Sequence, residues 1–257
     1  MTNFKRNPAT MPYGAIIRPH VDPPAGLGCI DATNTHPRWD KSGSNYIYGR
    51  DWFGFKGLPG GYHFTYGSYF AIGLTGVWWS STSMSSNLAQ GCYMRHNMGG
   101  FYQDIYYYYK TDSFSVRCVR DEAVGEASDS DGTVYTDDYT DGSSNKYDGV
   151  KIGEQVWITK NLITTKYQNG NNITGAYKIY PHADVDGIAS EQAMIDAYGI
   201  LYNWNAVDND LVTGDYRVPS NADWKDLTDY LISQYDVTKD NVAMILKSCR
   251  QVDHTLA

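Results

Sequence analysis

DGVKIGEQVWITKNLITTKYQNG, residues 148–170, is the stretch on which the fold turns. Val150, Ile152, Val156 and Ile158 recur with period two about Gly153, the pattern of two short strands joined by a tight turn. YRVPSNADWKDLTDYL, residues 216–231, carries the cleanest helical signal. Ser220 can cap this helix and Asp223 stands three residues on as its reciprocal partner, while Trp224, Leu227 and Leu231 share one face. YGILYNWNAV, residues 198–207, lies between the two; Ala193, Ile195, Ala197 and Leu201 support a helix over 190–204 that Gly199 weakens near its end. Upstream stand LPGGY (58–62), VWWSST (77–82) and SVRCVRD (115–121). Aromatics alternate with glycines over 53–70, and residues 134–139 and 114–119 add strand patterns. Two helices among many short strands make an α+β architecture.

Together these strings resemble the Fibrobacter succinogenes major paralogous domain, a family of bacterial surface and secreted modules similar in fold to C-type lectins and to the formylglycine-generating enzyme. The resemblance covers most of the 257 residues, in reversed order. The strings of the family's closing half come first and those of its opening half last. LKSCRQVDHTLA (246–257) stops where a loop should begin, and GLGCIDATNTHPRW (26–39) reads as that loop's continuation. The resemblance therefore implies one C-type lectin-like domain, circularly permuted. Its parts are a proline-rich arm (1–25), the carboxy-terminal half (26–121), an acidic linker (122–148) and the amino-terminal half (149–257). Two half-domains cut from a tandem array, which would pair as a swapped homo-oligomer, and an artefact of sequence assembly are the other origins. If the ends meet, Cys29 and Cys249 become neighbours and a disulfide there is expected, leaving Cys92 with Cys118; buried free thiols are the competing reading.

The net charge of −8 is concentrated. Residues 121–148 hold nine carboxylates against Lys146 alone, with glycines and serines interspersed, a composition that suits a solvated connection. No basic stripe suggests nucleic acid. No apolar run has the length of a membrane span, so direct membrane insertion is not expected, and the amino terminus lacks a basic region followed by an apolar core. The family resemblance places the chain outside the cell or at its surface, with a phage particle as the alternative.

The segment with the strongest chemical character is YMRHNMGGFYQDIYYYY, residues 93–109. Tyrosine offers large amphipathic area with few rotors, and Asn, Ser and Gly add adaptable hydrogen bonds. Tyr93, Arg95, Asn97, Tyr102, Asp104, Tyr106 and Tyr108 are the candidate ligand-binding residues. Strand alternation would place Tyr102, Asp104, Tyr106 and Tyr108 on one exposed face, with Ile105, Tyr107 and Tyr109 on the other. The ligand would be a protein or glycan on another cell or surface. Tyrosines that only cover a half-buried sheet are the rival reading, which makes the chain a structural or adhesion module. In its Tyr- and Asn-rich composition before the final strand, the segment is also similar to the variable proteins diversified by retroelements.

Other chemistries find little support. Asp129-Ser130-Asp131-Gly132 lacks the spaced carboxylates of a calcium loop and reads as a turn. The EPN, QPD and WND strings of calcium-dependent sugar lectins are missing, and Cys92 and Cys118 do not match the copper-holding pair of the formylglycine-generating enzyme. The six histidines show no metal-ligand spacing, and neither a nucleophile elbow nor a phosphate loop is present. The expectation is a non-catalytic recognition module with no cofactor and no metal.

Overall fold

The computed structural model of the chain describes residues 31–41, 49–103, 107–208 and 210–252. The first half contributes β1 (Asp31–Thr33), β2 (Gly60–His63), β3 (Tyr69–Ile72), β4 (Thr75–Ser83), β5 (Leu88–Arg95), β6 (Tyr107–Tyr109), β7 (Ser113–Phe114) and β8 (Val119–Asp121). The second contributes β9 (Val134–Thr140), β10 (Lys146–Ile152), β11 (Gln155–Ile158), β12 (Tyr177–Lys178), β13 (Leu201–Asn203) and β14 (Arg250–Val252). Its helices are α1 (Glu191–Tyr198), α2 (Trp204–Val207) and α3 (Asn221–Gln234). The class is α+β.

The period-two stretch folds as its pattern predicts. β10 and β11 pair antiparallel from Gly149↔Ile158 to Ile152↔Gln155. They turn at Gly153, whose φ of +64° lies in the left-handed region that glycine tolerates. This sheet runs β8-β11-β10-β9, so a strand of the first half, β8, completes a hairpin of the second. The larger sheet runs β12-β13-β7-β2-β4-β5-β6, with β3 paired to β2, and it crosses between the halves at Tyr202↔Phe114. A parallel pairing of β1 with β14, Asp31↔Arg250 through Thr33↔Val252, sets the start of the described chain beside its end.

α3 is capped reciprocally: the Ser220 side chain accepts from Asp223 N–H and the Asp223 carboxylate accepts from Ser220 N–H. Its apolar face seals one core, in which Trp224 meets Trp157 at 4.5 Å, Phe101 at 5.4 Å, Phe55 at 6.4 Å and Trp78 at 6.5 Å between ring centroids. The two halves each supply rings to this cluster, so neither buries it alone. A second cluster, around Trp79, Phe114, Ile158, Leu162 and Tyr202, likewise draws on both.

Three sequence expectations need correction. The helix foreseen over 190–204 breaks into α1, β13 and α2, because Gly199 adopts φ +84° where a Cβ would lie 2.6 Å from that of Asn161. The acidic stretch 122–148, foreseen as linker around the strand pattern at 134–139, contains that strand as β9 and the start of β10, and it buries Tyr139 and Tyr147. Its carboxylates are paired rather than merely solvated: Arg120 holds Glu126 at 2.8 Å and Asp138 at 2.9 Å, Lys151 meets Glu122, and the Tyr147 hydroxyl donates to Asp141 at 2.6 Å. Cys92 and Cys118 do not form a disulfide; each is a buried free thiol, one in the Trp224 cluster and one in the Phe114 cluster. Cys249 is disulfide-bonded. Cys29, its expected partner, and the arm 1–25 lie outside the described residues.

Candidate functional site: an aromatic face on the large sheet

Successive side chains of a strand point to opposite sides, so β5 has two characters. Cys92 and Met94 enter the sealed Trp224 cluster, while Ala89 and Tyr93 face the Phe114 cluster. On this second side Tyr93 forms a two-way backbone bridge with Tyr102, at 2.9 and 3.0 Å, and their rings stack at 5.0 Å and 14°. The guanidinium of Arg95 lies over the Tyr93 ring at 5.0 Å, a cation–π contact from an exposed residue. β6 pairs with β5 through Ala89↔Tyr108, and the Tyr108 ring packs on Phe114 at 4.6 Å and Trp79 at 6.3 Å. Burial raises the pKa of the Tyr108 hydroxyl, with Tyr93, Cys92 and Tyr62 acting in the same direction, so the phenol stays neutral.

The structure thus brings Tyr93, Arg95, Tyr102 and Tyr108 to one side of the sheet. They are not the open face that alternation suggested. Tyr93 is buried and Tyr102 and Tyr108 are half-buried, leaning on the core; Asn97 is exposed in the turn after β5. Tyr107 and Tyr109 are the more open tyrosines of β6, at 51% and 58%. Asp104 and Tyr106, together with Ile105, lie outside the described residues.

The β2–β3 hairpin completes the face, and its residues were missed in the sequence. Tyr62 stacks on Phe70 at 5.8 Å and 29°, meets Phe64 at 4.8 Å, and reaches Phe114 at 6.2 Å beside Tyr108. Phe70 is exposed, a large apolar side chain that the sheet does not cover. The available signal was the pairing parity: Tyr62 and Phe64 are two apart, and Phe70 faces Tyr62 across a turn containing Gly67. The other side of the hairpin holds His63 against Tyr69 at 4.7 Å and Tyr69 against Tyr180 at 5.1 Å.

The turn that presents Arg95 and Asn97 is fixed from below. Lys247, fully buried, donates from Nζ to the Arg95 carbonyl at 2.5 Å and the Met98 carbonyl at 2.6 Å. His96 N–H donates to the Leu74 carbonyl at 2.8 Å, tying the same turn to the end of the β3–β4 connection. Burial lowers the Lys247 pKa to about 7, and the two carbonyls oppose that shift by favouring the ammonium.

Elsewhere the His36-Pro37-Arg38-Trp39 stretch and the Asp-Ser-Asp-Gly string perform structural work. His36 Nδ1 is 2.6 Å from the Tyr198 hydroxyl, and the buried Trp39 donates from its indole to Gly57 O at 3.1 Å. Asp131 of the Asp-Ser-Asp-Gly string accepts from the Tyr230 hydroxyl at 2.7 Å, the Tyr235 hydroxyl at 2.5 Å and Gly153 N–H at 2.7 Å. Among the described residues there is no group of three or more His, Cys, Asp or Glu able to hold a metal, and no helix long and apolar enough to cross a membrane.

Comparison with known proteins gives one positive result. Searches of curated proteins and of solved structures return no match. The family model of the Fibrobacter succinogenes major domain matches residues 150–252, from within β10 to the last residue of β14. Over that span, in the second half of the chain, the sequence is similar to the Fibrobacter succinogenes major domain.

Proposed function

We propose that the chain is a surface-associated recognition module that holds a protein or glycan ligand on the aromatic face formed by Tyr62, Phe64, Phe70, Tyr93, Arg95, Tyr102 and Tyr108. One observation carries this reading: Arg95 over Tyr93, itself stacked on Tyr102, beside the Phe70–Tyr62 stack, all on a rigid sheet. Flat half-buried rings keep their orientation before a ligand arrives, and Arg95 and Asn97 supply donors at the margin. Such a face binds by stacking and peripheral hydrogen bonds and needs no metal or cofactor. Catalysis is not part of this reading, and neither nucleic acid nor membrane is its partner. The test is an array of bacterial and host glycans and secreted proteins, probed with the wild type and with the Phe70→Ala, Arg95→Ala double variant. Binding by the wild type that the variant loses supports the reading; binding that the variant retains removes it in favour of a structural or adhesion module.

In the same reading the two halves are one C-type lectin-like domain in permuted order. The parallel pairing of β1 with β14 and the two sheets shared between halves support it. A monomer with one cooperative melt is expected in solution; a swapped oligomer would favour the tandem-array origin.

A further inference from the structure

Arg95 gives the aromatic face its charge. The residue is exposed, and among the described residues its guanidinium has neither a carboxylate partner nor a hydrogen bond; what holds it is the Tyr93 ring beneath, at 5.0 Å. A guanidinium held over a ring keeps its N–H groups at its edge, and the fork they form matches a carboxylate. Burial raises the pKa of the Tyr62 hydroxyl, and the Arg95 charge opposes that shift, as it does at Tyr108. Its field therefore reaches both the β2–β3 hairpin and β6. Asp40, the acid that acts on His96 in the adjoining turn, is already bonded to Arg38 at 2.9 Å. A chain of net charge −8 thus carries an unpaired cation where its half-buried rings gather.

Phe70 is the apolar counterpart. It is 41% exposed, Tyr62 stacks on it at 5.8 Å and 29°, and it is the one ring of the face that stands open. Arg95 and Phe70 are separated by the strand order β3-β2-β4-β5. Three strand spacings make that about 14 Å. One open ring is not the apolar centre that a protein interface of roughly 800 Å² per partner is built around. It suits a sugar, whose C–H-bearing side packs on an aromatic plane while its hydroxyls stay in water. The separation asks for several linked units rather than one.

Taking this face as a ligand site, we propose that its ligand is an acidic oligosaccharide: one unit sets its carboxylate against the Arg95 guanidinium, and a neighbouring unit lies on Phe70. Asn97, exposed in the same turn as Arg95, bonds the hydroxyls beside the acid.

The experiment is calorimetric titration of the full chain, at matched ionic strength, with two acidic probes and their neutral counterparts. These are tetragalacturonate against its methyl ester, and sialyllactose against lactose; galacturonate alone is the single-unit control. Saturable binding of at least one acidic probe is expected, with its counterpart and galacturonate weaker by roughly 10-fold or more. A chelator should change nothing. Arg95→Gln should erase the preference for the acid, Phe70→Ala should weaken both members of the pair, and the Tyr107→Ala, Tyr109→Ala variant should bind as the wild type does. Arg95 and Phe70 are exposed, so their variants should melt with the wild type.

Equal binding of acid and counterpart, an acid preference kept by Arg95→Gln, or no saturable binding of either acid would overturn this inference. The aromatic face would survive any of those results if the array still returned a protein or neutral glycan that the Phe70→Ala, Arg95→Ala variant loses. Acid binding undiminished in that variant would remove the inference and the face together.

Discussion

The two sides of β5 carry aromatic chemistry of different kinds. On one side Cys92 and Met94 join Trp78, Trp157, Trp224, Phe55 and Phe101 in a core that α3 closes. On the other, Tyr93 joins Tyr62, Phe64, Tyr102 and Tyr108, whose rings touch the core while several keep an edge toward solvent, and the exposed Phe70 stacks on Tyr62. Tryptophan and phenylalanine dominate where water is excluded, and tyrosine where a ring must be apolar on one edge and wet on the other. The scaffold is thus separated from the candidate face by one residue of strand parity.

The largest break in that contrast should come from Trp224→Ala. It removes the ring that meets four others, and a loss of about 3–5 kcal/mol is expected in denaturant unfolding. Next comes a pH effect in the sealed side's own surroundings. Burial raises the pKa of Asp51 from 3.8 to about 6, so between those values the folded state binds more protons than the unfolded one. Stability should therefore fall as pH rises from 4 through 6, by about 3 kcal/mol, and Asp51→Asn should flatten the slope. On the half-open side, Tyr108→Ala should cost about 2 kcal/mol, since its ring packs on Phe114 and Trp79, with Tyr108→Phe close to neutral in stability. The smallest stability effects, within ~0.5 kcal/mol, belong to Phe70→Ala with Arg95→Ala and to Tyr107→Ala with Tyr109→Ala. Those pairs should part in affinity: the first should weaken the array ligand at least ~10-fold, and the second should leave it unchanged.

Much of the scaffold was legible in the residues themselves. The alternation of Val150, Ile152, Val156 and Ile158 foretold the β10–β11 hairpin, and the Ser220 and Asp223 pair foretold the start of α3. Local signals of this sort are strong because each depends on neighbours in the chain. Residues 122–148 were legible at 134–139, whose strand pattern became β9, but their packing depended on distant partners: without knowing that Arg120 and Lys151 would meet their carboxylates, composition reads the rest as linker. The helix at 190–204 failed for a related reason, since the contact that forbids a Cβ at Gly199 comes from Asn161.

The candidate site was legible only in half. The run 93–109 announced itself by composition, and its parity placed Tyr102 and Tyr108 together, but their depth depends on Phe114 and Trp79, which no local pattern supplies. Tyr62, Phe64 and Phe70 read as packing because aromatic–glycine alternation signals turns before it signals a surface.

The most direct test of the aromatic face is oxidative footprinting, read by mass spectrometry, of the chain with and without its array ligand. The account predicts protection at Tyr62, Phe70 and Tyr102, with Tyr107 and Tyr109 labelled equally in both states. Protection confined to Tyr107 and Tyr109, or none at the hairpin and β5, would contradict it.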